Sequence, residues 1–117
     1  MTGVQTCALP ISNHGGRQLD SAPSSISALP RIADAVGDRL EVMMDGGVHT
    51  GQDVVKAIAR GARSVMIGRG WVYALAARGE AGVRHILGQI QREIQVTLAL
   101  TGLTSVRAIS SDILLRD

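Results

Sequence analysis

Apolar residues recur every three to four positions over much of this chain, and short apolar runs ending in glycine separate the recurrences. From Ser24 or Ser25, either of which can cap a helix, Ile26, Leu29, Ile32, Ala33 and Val36 fall on one face. The spacing predicts a helix to about Val36, ended by Gly37. Pro30 lies inside it and lacks a donor, so an irregular first turn or a later start is expected. Leu40-Glu41-Val42-Met43-Met44 then stops at Asp45-Gly46-Gly47, the pattern of a buried parallel strand followed by a tight loop. Gln52 to Arg60 predicts a helix with Val54, Val55, Ala57 and Ile58 inward, closed by Gly61. Ser64-Val65-Met66-Ile67 reads as the next strand and Gly68-Arg69-Gly70 as the loop after it. A short helix over Trp71 to Ala77 precedes a long one from about Glu80 to Thr101. Val83, Ile86, Leu87, Ile90, Ile94, Thr97 and Leu98 form the apolar stripe of the long helix, and Gly102 is a natural C-cap. A further helical turn is expected near Val106 to Ile109.

Strands separated by helices predict an α/β fold with a parallel sheet. Two strands cannot close a barrel or shield both faces of a sheet, so further β/α units are expected beyond this segment. The chain has 117 residues, enough for one small domain. A hydrophobic fraction of 45% and a charged fraction of 19% suit a globular protein. The formal charge of +2 is too small to argue for nucleic acid, and Trp71 and Tyr73 are the only aromatics, so no base-stacking surface is expected. No apolar run approaches the roughly 20 residues that span a bilayer. The opening Met1-Thr2-Gly3-Val4-Gln5 has neither a basic stretch nor a long apolar core, and no secretory signal is read there.

Residues 2–11, Thr2-Gly3-Val4-Gln5-Thr6-Cys7-Ala8-Leu9-Pro10-Ile11, resemble the conceptual translation of a sequencing adapter. The segment has no periodicity and gives way at Ser12 to a strongly patterned sequence. Residues 1–11 are therefore expected to be non-native and residues 12–117 to be the domain segment. The lone Cys7 falls in the first part and carries no weight.

Two segments bear chemistry. In Ser12-Asn13-His14-Gly15-Gly16-Arg17-Gln18-Leu19-Asp20, a histidine that titrates near neutrality stands three residues before an arginine whose planar fork suits a carboxylate. The glycines between them let the backbone turn and leave room for a substrate. On spacing alone, a solvated loop with a surface His and Arg is the better account. In Asp45-Gly46-Gly47-Val48-His49 and Gly68-Arg69, glycine N–H groups after two consecutive strands can approach a phosphate, and Arg69 can pair with it. Simple tight turns explain these glycines equally well.

Asn13-His14-Gly15-Gly16-Arg17-Gln18-Leu19-Asp20, Asp45-Gly46-Gly47-Val48 and Gly68-Arg69, in this order and spacing, resemble the FMN-dependent α-hydroxy-acid dehydrogenase and oxidase family. L-lactate dehydrogenases, glycolate oxidases and mandelate dehydrogenases belong to it. Gly79-Glu80-Ala81-Gly82-Val83 and Leu98-Ala99-Leu100-Thr101-Gly102 resemble its final helix. The resemblance runs from about Ser12 to the C-terminus. It implies the C-terminal part of a TIM (β/α)8 barrel, its last two strands with their helices, whereas a whole barrel takes about 250 residues.

The activity implied is FMN-dependent oxidation of an L-2-hydroxy acid, foremost L-lactate, to the 2-oxo acid. His14 matches the catalytic base, Arg17 the substrate-carboxylate anchor, and Asp45, Gly46, Gly47, Gly68 and Arg69 the FMN contacts. His49 departs from the pattern, standing where the family has an arginine on the FMN phosphate. The resemblance also implies a homo-oligomeric (tetrameric) parent, a quinone, cytochrome or oxygen as electron acceptor, and a cytoplasmic place, peripheral at the inner face of the cell membrane where an attaching segment is present. No metal is expected.

The family's lysine near the flavin and the aspartate orienting the histidine lie on earlier strands. The chain by itself is thus expected to be inactive, with the stripe of its long helix facing missing neighbours. Two other readings stand beside this one. The first is another phosphate- or FMN-binding barrel, IMP dehydrogenase-like or type 2 isopentenyl-diphosphate isomerase-like. The second is a non-enzymatic helical interaction module using the long amphipathic helix.

Overall fold

The computed structural model describes His14 and residues 17–115. The segment expected to be non-native, residues 1–11, and the glycines Gly15 and Gly16 lie outside the described residues.

Helix α1 covers Ser25–Val36. Its cap is Ser24, whose hydroxyl accepts the Ser27 N–H at 3.3 Å. The helix runs through Pro30 without a break, so the expected irregular start does not occur. At that position only the N–H to Ile26 is lost, and burial of Leu29 next to it holds the helix in place. Gly37 ends α1 with an ordinary right-handed φ of −63°. Its value is space: a Cβ there would stand 2.5 Å from the carbonyl oxygen of Ala33.

Strand β1 is Met43–Met44 and pairs in parallel with β2, Ser64–Val65. Both are shorter than the expected runs of residues 40–44 and 64–67. Pairing continues one bond beyond each end, Arg63 N–H to Val42 O at 2.7 Å and Met66 N–H to Met44 O at 2.9 Å. The expectation of a strand buried on both faces is corrected: Val42 and Met44 are buried, while Met43 is 46% exposed. A pair of strands has helices on one face only, so alternate side chains divide between core and surface.

Helix α2, Gly51–Ala59, crosses between the strands and starts at a capping box of Thr50 and Asp53. The buried cluster Leu29, Val42, Met44, Val48, Ala57 and Ala62 sits between α1, α2 and the strands, with Ile26, Ile32, Val36 and Val54 packed around it.

Helix α3, Arg69–Leu100, begins directly at Arg69, so the expected loop 68–70 shrinks to its N-cap, Gly68. The helix breaks at Arg78 and Gly79, where Gly79 takes φ 59° and ψ −144°. It is therefore two helices, as the spacing predicts. The second half docks on α2, burying Ile90 and Leu98. That corrects two expectations: the stripe has a neighbour within the chain, and Leu87, 52% exposed, is not part of the buried face. Thr101 and Gly102 close the helix, with Gly102 N–H to Ala99 O at 3.2 Å and Leu103 N–H to Leu98 O at 2.8 Å. Gly102 supplies the φ of +73° that this Schellman ending requires. Single 3₁₀ turns follow at Val106–Ala108 and Ser111–Ile113.

Candidate functional site

The loop after β1 is pinned along its length. Val48 is buried in the core cluster, and the buried Ser25 hydroxyl donates to the Gly46 carbonyl at 3.5 Å. At the far end the Asp53 carboxylate accepts the N–H groups of His49 at 3.0 Å and Thr50 at 2.9 Å. Gly46 and Gly47 take φ of 101° and 73°, a region that residues with a Cβ rarely enter, so the path of this loop depends on glycine.

Burial raises the pKa of Asp53. Hydrogen bonds from the His49 and Thr50 N–H groups and the Thr50 hydroxyl, with the charge of Lys56, outweigh that and hold it below the ordinary carboxylate value. For Glu93, the Gly51 N–H and then the Gln89 amide lower the pKa in the same sense.

The loop after β2 ends at Gly68, which has no side chain to cap α3. The first N–H groups of α3 therefore meet no side-chain cap, in contrast to α1 under Ser24 and α2 under Thr50. Arg69 follows as an exposed cation.

One cavity of about 310 Å³ collects these parts. His14, Arg17, Asp45, Gly46, Gly47, Val48, His49, Met66, Gly68 and Arg69 line it. The cavity brings together the residues read from the sequence as base, carboxylate anchor and cofactor contacts, namely His14, Arg17, Asp45, Gly46, Gly47, His49, Gly68 and Arg69, although they come from three separate segments. His14 and Arg17 are one turn apart, with the Arg17 N–H bonded to the His14 carbonyl at 3.1 Å. The arrangement offers an imidazole and a guanidinium from one segment, and glycine loops, a helix N-terminus without a side-chain cap and Arg69 from the other two. A phosphate-bearing cofactor fits the second group. Space is open where a Cβ would stand on Gly47 and Gly68, and the backbone there can approach a ligand closely.

The whole-chain comparison agrees. A family model described as FMN-dependent dehydrogenase matches residues 3–116. The chain belongs to this FMN-dependent dehydrogenase family. Within the family, it is 61% identical over 104 residues to an L-lactate dehydrogenase of Caulobacter vibrioides (strain NA1000 / CB15N), covering 89% of this chain and 27% of that protein. An L-lactate dehydrogenase of Pseudomonas paraeruginosa is 56% identical over 107 residues, covering 92% and 28%. The chain thus spans little more than a quarter of the length of these curated relatives. An oxidised active mutant of (S)-mandelate dehydrogenase superposes with a TM-score of 0.82 at 42% identity, covering 91% of this chain and 30% of that one. A flavocytochrome b2 mutant with pyruvate bound gives 0.78 at 38%, covering 88% and 27%. Family membership favours the hydroxy-acid dehydrogenase reading over the other barrels and the helical module.

Sequence reasoning missed Ser25 and Asp53, which hold the loop after β1, and Glu93, which holds the start of α2. Thr50-x-x-Asp53 is a capping-box pattern and was legible as one. Nothing local signals Glu93, whose partner lies 42 positions away.

Proposed function

We propose that this segment carries the proton-handling and phosphate-holding side of an enzyme that oxidises an L-2-hydroxy acid, L-lactate foremost, to the 2-oxo acid with FMN. One observation carries the reading: the His14 imidazole, the Arg17 guanidinium and both glycine loops line the same cavity. His14 is the base that removes a proton from the hydroxy acid. Arg17 presents two parallel donors to the substrate carboxylate, so the neighbouring carbinol is held in the cavity that His14 lines.

Gly46, Gly47 and Gly68, the open start of α3 and Arg69 hold the phosphate end of the cofactor, with Asp45 and His49 beside them. Acceptance of the electron pair, released as the alcohol becomes the ketone, is the chemistry that bound FMN supplies. The names of the curated relatives support L-lactate, and the mandelate enzymes among the structural neighbours support the 2-hydroxy-acid class.

Further parts of the reading extend the family resemblance of the sequence. The two strands and their helices form the end of a TIM barrel, and the whole protein is a homo-tetramer that passes electrons to a quinone, a cytochrome or oxygen. Among the described residues no helix is long and apolar enough to cross a membrane. One solved neighbour, an (S)-mandelate dehydrogenase, is a monotopic membrane protein, which supports attachment at a membrane surface; the cytoplasmic, inner-face placement is part of this proposal.

The test is a chimera in which residues 12–117 replace the matching segment of the full-length Caulobacter vibrioides L-lactate dehydrogenase. The expected product is a yellow protein with one FMN per chain that oxidises L-lactate. A folded chimera that takes up FMN yet leaves L-lactate and L-mandelate untouched would sink the assignment. The 117-residue chain by itself is expected to bind FMN weakly and to be inert, since only part of the pocket lies on it; purification with a full equivalent of flavin would contradict that.

A further inference from the structure

Three successive backbone N–H groups at the start of α2 are held by two carboxylates. Asp53 Oδ2 accepts from His49 and Thr50. Glu93, in the second half of α3, accepts the Gly51 N–H through Oε2 at 2.7 Å, while its Oε1 takes the Gln89 amide at 3.1 Å. The approach is close enough to require glycine: a Cβ on Gly51 would stand 2.5 Å from both the Glu93 Cβ and the Ile94 nitrogen.

The start of a helix attracts anions because its first N–H groups have no partner within the helix. Two such starts flank the site, α2 after the His49 loop and α3 after Gly68. The protein's own anions fill the first. The second has no side-chain cap and carries Arg69 as its first residue. The bonds that fill α2 also fix the backbone of His49, the last cavity-lining residue of its loop. The hydrogen bonds that Asp53 accepts outweigh its burial and hold its carboxyl below the ordinary carboxylate value.

We propose that Asp53 and Glu93 are positioning residues that together seal the start of α2, Asp53 also fixing the His49 end of the Asp45–His49 loop, and so direct the cofactor's phosphate to the Gly68 and Arg69 side of the site. This rests on the reading of the cavity as an FMN site.

The experiment uses the full-length chimera, stripped of flavin and titrated with FMN by fluorescence quenching. Asp53→Ala strands two N–H groups and is expected to raise the FMN dissociation constant about tenfold, whereas Asp53→Asn keeps an acceptor oxygen in place and stays within about threefold. Glu93→Ala and Glu93→Gln should divide the same way. In all four variants kcat at saturating FMN is expected to hold within about twofold, because the reacting groups are untouched.

An unchanged dissociation constant in both alanine variants overturns the proposal. So does an equal loss in Asp53→Asn, since charge rather than N–H acceptance would then be the cause. If Asp53→Ala does not fold, the Glu93 pair makes the same comparison. An unsubstituted chimera that takes up no FMN refutes the cavity reading itself, and the proposal with it; that result is separable from one in which only the variants behave otherwise.

Discussion

Gly82 and Ala74 meet across the break in α3: a Cβ on Gly82 would stand 2.1 Å from the Ala74 carbonyl oxygen. The break itself needs Gly79 at φ 59° and ψ −144°. Together they fold the first half of α3, which starts at the cavity, back onto the second half, which packs on α2. Gly82→Ala is expected to cost about 1–3 kcal/mol by overpacking against backbone, and Gly79→Ala a comparable amount from strain. Urea unfolding of the chimera measures both, and wild-type midpoints would show that the break is not required.

His14 and Arg17 should separate kinetically. His14→Ala removes the base and is expected to lower kcat by about 10²–10⁴-fold. Arg17→Met removes a charge-assisted contact and is expected to lower kcat/KM for L-lactate about 10- to 100-fold. Steady-state rates on the chimera give both values; a His14→Ala enzyme with full kcat would exclude that imidazole as the base.

His49 lines the cavity where the resembled family carries arginine. A neutral imidazole offers one donor, whereas guanidinium offers a fixed fork. His49→Arg is expected to tighten FMN binding roughly tenfold to a hundredfold, equivalent to about 1.5–3 kcal/mol. Equal dissociation constants for the two forms would show that the contact is unimportant.

The lowered pKa of Asp53 has a signed consequence for stability. Its stabilisation is present above the ordinary value of 3.8 and is lost as pH falls through the lower folded value. Unfolding free energies of the chimera between pH 6 and pH 2 should therefore drop more steeply than those of Asp53→Asn. Parallel curves would mean that Asp53 has the same pKa folded and unfolded.

Much of this architecture was legible because its signals are local. Ser24 before α1, Thr50 and Asp53 around α2, and Gly102 after α3 each meet partners within a few residues, so the sequence shows the helix ends directly. The break at Gly79 falls where the spacing separates a short helix from a long one. The strands were less legible. A strand is defined by its neighbour, and only Met43–Met44 and Ser64–Val65 pair regularly of the nine residues that read as strand-like.

By itself, the sequence determined which residue types were present for the chemistry, two imidazoles, two guanidiniums and turn-forming glycines, and placed the ends of α1 and the C-terminal end of α3, while the start of α3 fell two residues earlier than expected. Tertiary structure alone decided that three segments share one cavity, that Leu87 faces outward, and that Glu93 reaches the N–H of Gly51. The reason is range. A cap or an apolar period is set by atoms a turn away, whereas a contact between positions 51 and 93 exists only once α2 has packed on α3 and buried Ile90 and Leu98.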